Sequence, residues 1–219
     1  MTCAPSWPQP AQPPTGDVRA GGRRRARMGY GTSRRHDEAM VTDRTSTWAD
    51  IAARQHGCIH RDQFDGPPDP TWVPSEHRDV WDVQPTGPNG WAAASLLAVD
   101  PGCFTRPPRA VLSHTTAAKL WGAGVFAGGY HITATVAAEG GPHLTVHLVG
   151  ELPDWCWHHG LPVTAPAATI VALAAVPGMR DHVGRAASDM LRRGLCSRAD
   201  LDLVDGLDEM IAEFEQDRR

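Results

Sequence analysis

The residues of this chain best suited to chemistry are histidines. Ser113 and His114 stand side by side in AVLSHTTAAKLWG (110–122), and His131, His143 and His147 fall in HITATV (131–136) and HLTVHL (143–148). A serine beside a histidine is the pair that a nucleophile and its general base require. Consecutive residues at a helix start do not face each other, however, so Ser113 reads as a capping hydroxyl and His114 as a ring bonded to a nearby carbonyl. The three strand histidines occupy the polar side of their alternation, which gathers them on one sheet face. A metal site is geometrically feasible there, with His158 and His159 as further donors. No carboxylate or cysteine accompanies them at a regular interval, and half-exposed sheets commonly carry His and Thr on their outer face. The expectation is therefore no catalytic residue, no metal and no cofactor. Cys3, Cys58, Cys103, Cys156 and Cys196 are scattered without metal-binding spacing, and no glycine-rich phosphate loop occurs.

Several elements must position these residues. Ser113 and Gly122 bound a short hub helix whose Ala117, Ala118, Leu120 and Trp121 form an apolar face, with Gly122 in the left-handed C-terminal position. The two alternating stretches, joined by Glu139-Gly140-Gly141-Pro142, predict a β-hairpin with Ile132, Ala134, Val136, Leu144, Val146 and Leu148 toward the core. GLPVT (160–164) ends a strand, Thr164 caps the next helix, and Pro166 sits at its start. An amphipathic helix over 179–193 closes at Gly194, and a last one opens on a Ser197–Asp200 capping box. That last helix carries an outward row of acids: Asp202, Asp205, Asp208, Glu209, Glu213 and Glu215.

The net charge of −4 comes from 21 basic and 25 acidic residues, unevenly spread. Residues 1–35 hold seven arginines against Asp17, which leaves 14 basic and 24 acidic residues behind them. An acidic folded part disfavours broad binding to phosphate backbones. Residues 1–44, rich in Pro, Gly and Arg, are expected to be a disordered tail, inert or a product of start-site choice at Met28 or Met40, with a nucleic-acid-binding arm through GGRRRAR as the alternative. No apolar run reaches membrane-spanning length and no secretory signal is evident, so the expectation is a reduced, cytoplasmic protein with no membrane partner.

Order is expected from Thr45. Thr47 and Asp50 form a capping box ahead of ADIAARQHG, Gly57 stops that helix, and CIHRDQF (58–64) offers a second short helix. Only 75–82 has scope for a third, because Pro67, Pro68, Pro70 and Pro74 break the stretch before it. Asn89 then caps a helix carrying Trp91, Ala94, Leu97 and Ala98, which Pro101-Gly102 ends.

ADIAARQHGCIHRDQF resembles the opening of the winged helix-turn-helix of AbiEi-type antitoxins of type IV toxin-antitoxin (abortive infection) systems. LSH, AA and LWG within 110–122, and GLPVT at 160–164, resemble phrases of the body of the same family. The resemblance spans about 45–204. It implies an α+β chain: a degenerate winged helix-turn-helix over 45–88, then an antitoxin body over 89–219 with a β-hairpin and C-terminal helices. It also implies a non-enzymatic regulator that represses its own operon at operator DNA and antagonises a nucleotidyltransferase-type toxin. Side chains suited to DNA contact are Arg54, Arg61, Gln63, His77 and Arg78. Against that contact, 45–85 holds three arginines and seven acids, and the family's third helix and Gly-Val-Tyr turn are missing. A protein-interaction remnant without DNA binding therefore stands as the alternative, and a histidine-based metalloenzyme as a third reading.

Overall fold

In the head of the chain, one helix and three short strands take the place of a run of helices. The computed structural model describes residues 47–83, 87, 89–124 and 128–216, so the 1–44 tail lies outside the described residues. Helix α1 (Trp48–Arg54) opens on the predicted capping box. The Thr47 hydroxyl accepts from the Asp50 amide, and the Asp50 carboxylate accepts from the Thr47 amide at 3.0 Å. The expected second helix is corrected. Cys58–His60 is strand β1, and only Arg61–Gln63 coils, as a single 3-10 turn. His60 Nδ1 accepts from the Asp62 amide while Gln63 Oε1 accepts from the His60 amide, which closes that turn, and Phe64 is already extended.

Nor is 75–82 helical. Strand β2 (Val73–Pro74) turns at Ser75, whose hydroxyl accepts from the His77 amide at 3.0 Å, and at left-handed Asp79 (φ 61°). The chain then returns as β3 (Val80–Asp82). Val80 and Trp81 favour a pleated surface, and β3 pairs antiparallel with both β1 and β2, in the order β1-β3-β2. An edge-to-face aromatic cluster fills this head: Phe64 meets Trp72 at 4.9 Å and Trp81 at 5.6 Å, and Trp48 meets Trp72 at 5.3 Å.

Helix α2 (Gly90–Val99) follows, with Asn89 in the capping position but making no side-chain bond there. Behind it, the fully buried carboxylate of Asp100 accepts from the Arg109 amide at 2.8 Å and pairs with the Arg106 and Arg109 guanidiniums. Cys58 and Val80 of the head share one apolar cluster with Leu96, Leu97, Leu112, Ile132 and Ile170.

The body is built on a five-stranded mixed sheet: β4 (Ala110–Leu112), β5 (Tyr130–Ala134), β6 (Leu144–Leu148), β7 (Trp155–His158) and β8 (Leu161–Thr164), in the order β6-β5-β4-β8-β7. The predicted hairpin is corrected here. Both stretches are strands, but β5 and β6 run parallel, with Tyr130 opposite Leu144 and Ala134 opposite Leu148. Their connection, 135–143, is shorter than the dozen or more residues a parallel crossover normally takes. Gly129 makes it feasible, since a Cβ there would lie 2.3 Å from the His143 carbonyl oxygen. The true hairpin joins β7 to β8 through His159 (φ 50°) and Gly160 (φ 75°), the two positive φ values of a two-residue type I′ loop.

Helix α3 (His114–Leu120) ends at left-handed Gly122 (φ 68°) as predicted. Helix α4 (Pro166–Ala174) carries Pro166 in its first turn. Its cap position is Ala165 rather than Thr164, whose carbonyl instead accepts from the Thr169 hydroxyl. Helix α5 (Arg180–Arg192) buries Val183, Ala186, Ala187 and Met190 against α6 (Leu207–Gln216). The last predicted helix is split. Ser197 and Asp200 do bond, but they open only the 3-10 turn Ala199–Leu201, and left-handed Gly206 (φ 69°) restarts the chain into α6. The described residues thus form a mixed α+β fold of six helices and two sheets. None of these helices is long and apolar enough to cross a membrane.

Candidate functional site

Strand β4 leads directly into α3, and the junction is where the histidines meet. Ser113 is extended (φ −143°, ψ 179°), and His114, first residue of α3, is left-handed at φ 50°. A side chain with a Cβ rarely adopts that conformation, and it persists only where its surroundings impose it. The reversal swings the imidazole back beside its neighbour, so His114 Nδ1 and Ser113 Oγ share a hydrogen bond of 2.9 Å inside the protein. The sequence reading is corrected on both residues. Ser113 makes no side-chain cap, and the two side chains do face each other.

Two hydrogen bonds fix this junction against β5. The Ser113 amide donates to the His131 carbonyl at 3.0 Å, and the His131 amide donates to Thr116 Oγ1 at 2.8 Å. The parallel register then sets His131 opposite Thr145 and Thr133 opposite His147, which places His131 and His147 diagonally on one face. Their Nδ1 and Nε2 atoms are 3.0 Å apart in a hydrogen bond. The His114 ring stacks on His147 at 3.8 Å and 17°, and its centre lies 5.5 Å from that of His131. One ring nitrogen from each of the three lies within 4.8 Å of the other two.

Burial, then the neighbouring His147 and His131 rings, push the His114 pKa down to about 3. Burial also lowers His131, helped by His147, and lowers His147. All three imidazoles are therefore neutral at neutral pH, the form in which a ring nitrogen offers its lone pair to a metal or accepts a proton.

Alternation correctly puts His131 and His147 on a common face. The third member is His114, not His143, which is exposed and contributes its backbone carbonyl to the Tyr130 amide at 2.6 Å. His158 packs against Trp121 at 4.0 Å, tilted by 31°, and bonds the Leu120 carbonyl, while His159 forms the β7–β8 turn. The Ser113–His114 pair singles out His114 in the sequence, but its place in the trio depends on a left-handed backbone and on strands brought in from later in the chain.

The residues suited to DNA contact are not gathered in this way. Arg54, Arg61 and Arg78 are exposed. Arg61 bonds the Phe64 carbonyl and lies over the Phe64 ring, and Arg78 pairs with Asp79 at 3.4 Å. Gln63 spends its amide inside. It exchanges two bonds with the Gln55 amide and also engages the His60 amide and the Pro101 carbonyl. The His77 side chain is only 8% exposed, and its ring bonds Ser95 Oγ at 2.9 Å. The acidic row near the C-terminus is partly answered within the chain: Arg180 pairs with Glu213 and Glu209, Arg198 with Asp208, and Ser188 donates to Glu215. Burial pushes the thiols of Cys103, Cys156 and Cys196 up, and that of Cys58, beside Asp82, to about 12, so none is a ready nucleophile. No family model matches this chain, and no curated protein matches it.

Proposed function

We propose that this chain is an antitoxin-like regulatory protein of the type IV kind, which works by recognition through its body and opposes a nucleotidyltransferase-type toxin. What supports this reading is that the body phrases carrying the resemblance are neighbours in space. LSH lies at the β4–α3 junction, GLPVT is β8, and these two strands pair at Leu112 and Val163 in the middle of the sheet. The head takes part as an interaction element rather than as a reader of operator DNA. Its Gln63 and His77 are bonded internally, and an extended segment stands where a reading helix would have to be. Base readout needs free side-chain donors and acceptors on an element that enters a groove.

The test is co-expression with a nucleotidyltransferase-type toxin of a type IV system. Restored growth supports the reading, and growth arrest unchanged by the chain overturns it. A mobility-shift assay on the chain's own upstream DNA at physiological salt should show no specific complex. A specific shift would restore the winged helix-turn-helix reading, with operon repression. The His114–His131–His147 cluster favours one second reading, a histidine-based metalloenzyme, which predicts metal-dependent turnover that is lost on changing His131.

A further inference from the structure

Six imidazole nitrogens meet at the β4–α3–β5–β6 junction. Among the described residues they make two side-chain hydrogen bonds, one to Ser113 and one between His131 and His147. Such a cluster adds little to stability as it stands, because burial penalises each ring's charged form and a shared proton holds only one pair. Its unused capacity is for a Lewis acid. With His114 Nδ1 bound to the Ser113 hydroxyl, Nε2 is the nitrogen left for a ligand bond. That is the usual arrangement of a metal-binding histidine whose second nitrogen is oriented by a neighbouring oxygen. Tetrahedral zinc holds its nitrogen ligands roughly 3.3 Å apart. The His131–His147 nitrogens stand at 3.0 Å, and the whole set lies within 4.8 Å, so small ring rotations suffice.

We propose that His114, His131 and His147 form a binding site for a divalent transition-metal ion, Zn²⁺ or a close analogue, with the fourth coordination position left to water or an external donor. Three imidazoles without a carboxylate select borderline ions such as Zn²⁺, Cu²⁺ or Ni²⁺ and reject Mg²⁺ and Ca²⁺, which require oxygen ligands. Ser113 is the positioning residue: it sets which nitrogen of His114 points inward. The site ties three elements together, so an ion there fastens the edge strand β6 to the centre of the sheet. This inference goes beyond the regulatory reading and stands or falls independently of any toxin.

The test uses the full chain, purified without a histidine tag, stripped with a chelator and titrated with Zn²⁺ against a chromophoric competitor. One equivalent should bind, with no competition from Mg²⁺, and Co²⁺ in its place should give the intense visible bands of a tetrahedral site. His147→Ala should weaken binding by at least about 100-fold, and Ser113→Ala by roughly 10- to 100-fold, the range of second-layer effects. His143→Ala, which changes an exposed histidine on the same segment outside the cluster, should bind as the unaltered chain does. Circular dichroism checks that each variant is folded. If His147→Ala does not fold, His147→Gln, closer in volume, makes the same comparison. A chain that binds well under one equivalent overturns the proposal. So does one whose binding survives the change at 147 or vanishes with the change at 143.

Discussion

Head and body both bury histidines and tryptophans, and they use them in opposite ways. In the head each polar ring has its own partner: His60 takes the Asp62 amide, and His77 takes Ser95. In the body, three rings turn toward one another. The tryptophans reverse this pattern. Trp121 is wedged beneath the body with its indole N–H donated to the Thr164 carbonyl at 2.9 Å, whereas the buried indole nitrogen of Trp72 in the head has no partner among the described residues. A ring that answers to one neighbour is committed to it, whereas three rings set against one another, tied outward through Ser113, leave ring nitrogens without a side-chain bond among the described residues. By that criterion His60 and His77 are committed to the packing of the head, and the unengaged ring nitrogens lie in the body.

Head and body should differ most at their tryptophans. Trp121→Ala should cost about 3–5 kcal/mol, through the cavity it leaves together with the lost bond to Thr164, as read by chemical denaturation. A loss under ~1 kcal/mol would mean that the body is not organised on α3. Gly184→Ala should come next. On an ordinary helix this change gains up to about 1 kcal/mol. Here the added Cβ would lie 2.1 Å from the Met210 carbonyl oxygen, so α5 and α6 must separate, and the expected result is a loss of about 1–3 kcal/mol. Unchanged or raised stability would show that the two helices do not pack this closely.

Trp72→Ala should cost less than its counterpart in the body, about 1–2 kcal/mol, because removing the ring also removes an unanswered buried donor, itself a penalty of roughly 1–3 kcal/mol. Hydrogen exchange should show amides of 58–82 losing protection while those of β4 and β8 keep it. Equal loss in both regions would dissolve the distinction between them. The smallest effect is on pH dependence. Burial holds the pKa of His60 and His77 below the usual 6.5, as it does those of the three body histidines, so the unfolded chain takes up protons that the folded protein refuses. Their contribution is complete above pH 6.5 and is lost as the pH falls through the lower folded values. Denaturation at pH 7.5 and at pH 5.5 should show that decline, and His77→Gln should flatten it.

What could be read from the sequence was local. The Thr47–Asp50 box, Pro166 at the start of α4 and the glycines at 122 and 194 are each decided within a turn of chain, and each is where its neighbours require it. Helix or strand in the head was misjudged because His60 and Gln63 close their own turn, a side-chain event that no periodicity records. Strand β4 escaped notice because all three of its residues are buried, leaving no alternation to detect. Alternation found the strands holding His131 and His147 and their common face. It could not give their direction, because a turn composition such as Gly140-Gly141-Pro142 serves an antiparallel return and a tight parallel one equally well. His114 needed what no pattern encodes: a strained backbone bond rotation, and a partner that arrives from another part of the chain.

Gly129 carries one further consequence. The alignment of β6 on β5 is held at the very edge of the sheet, where a hydrogen atom in place of a side chain lets the His143 carbonyl come close. Sliding β6 by a single residue would exchange its two faces, turning Val146 toward the imidazoles and His147 away. The trio of rings is therefore a gauge of strand alignment: whatever loosens that outermost strand erases the constellation, even while the rest of the molecule stays intact.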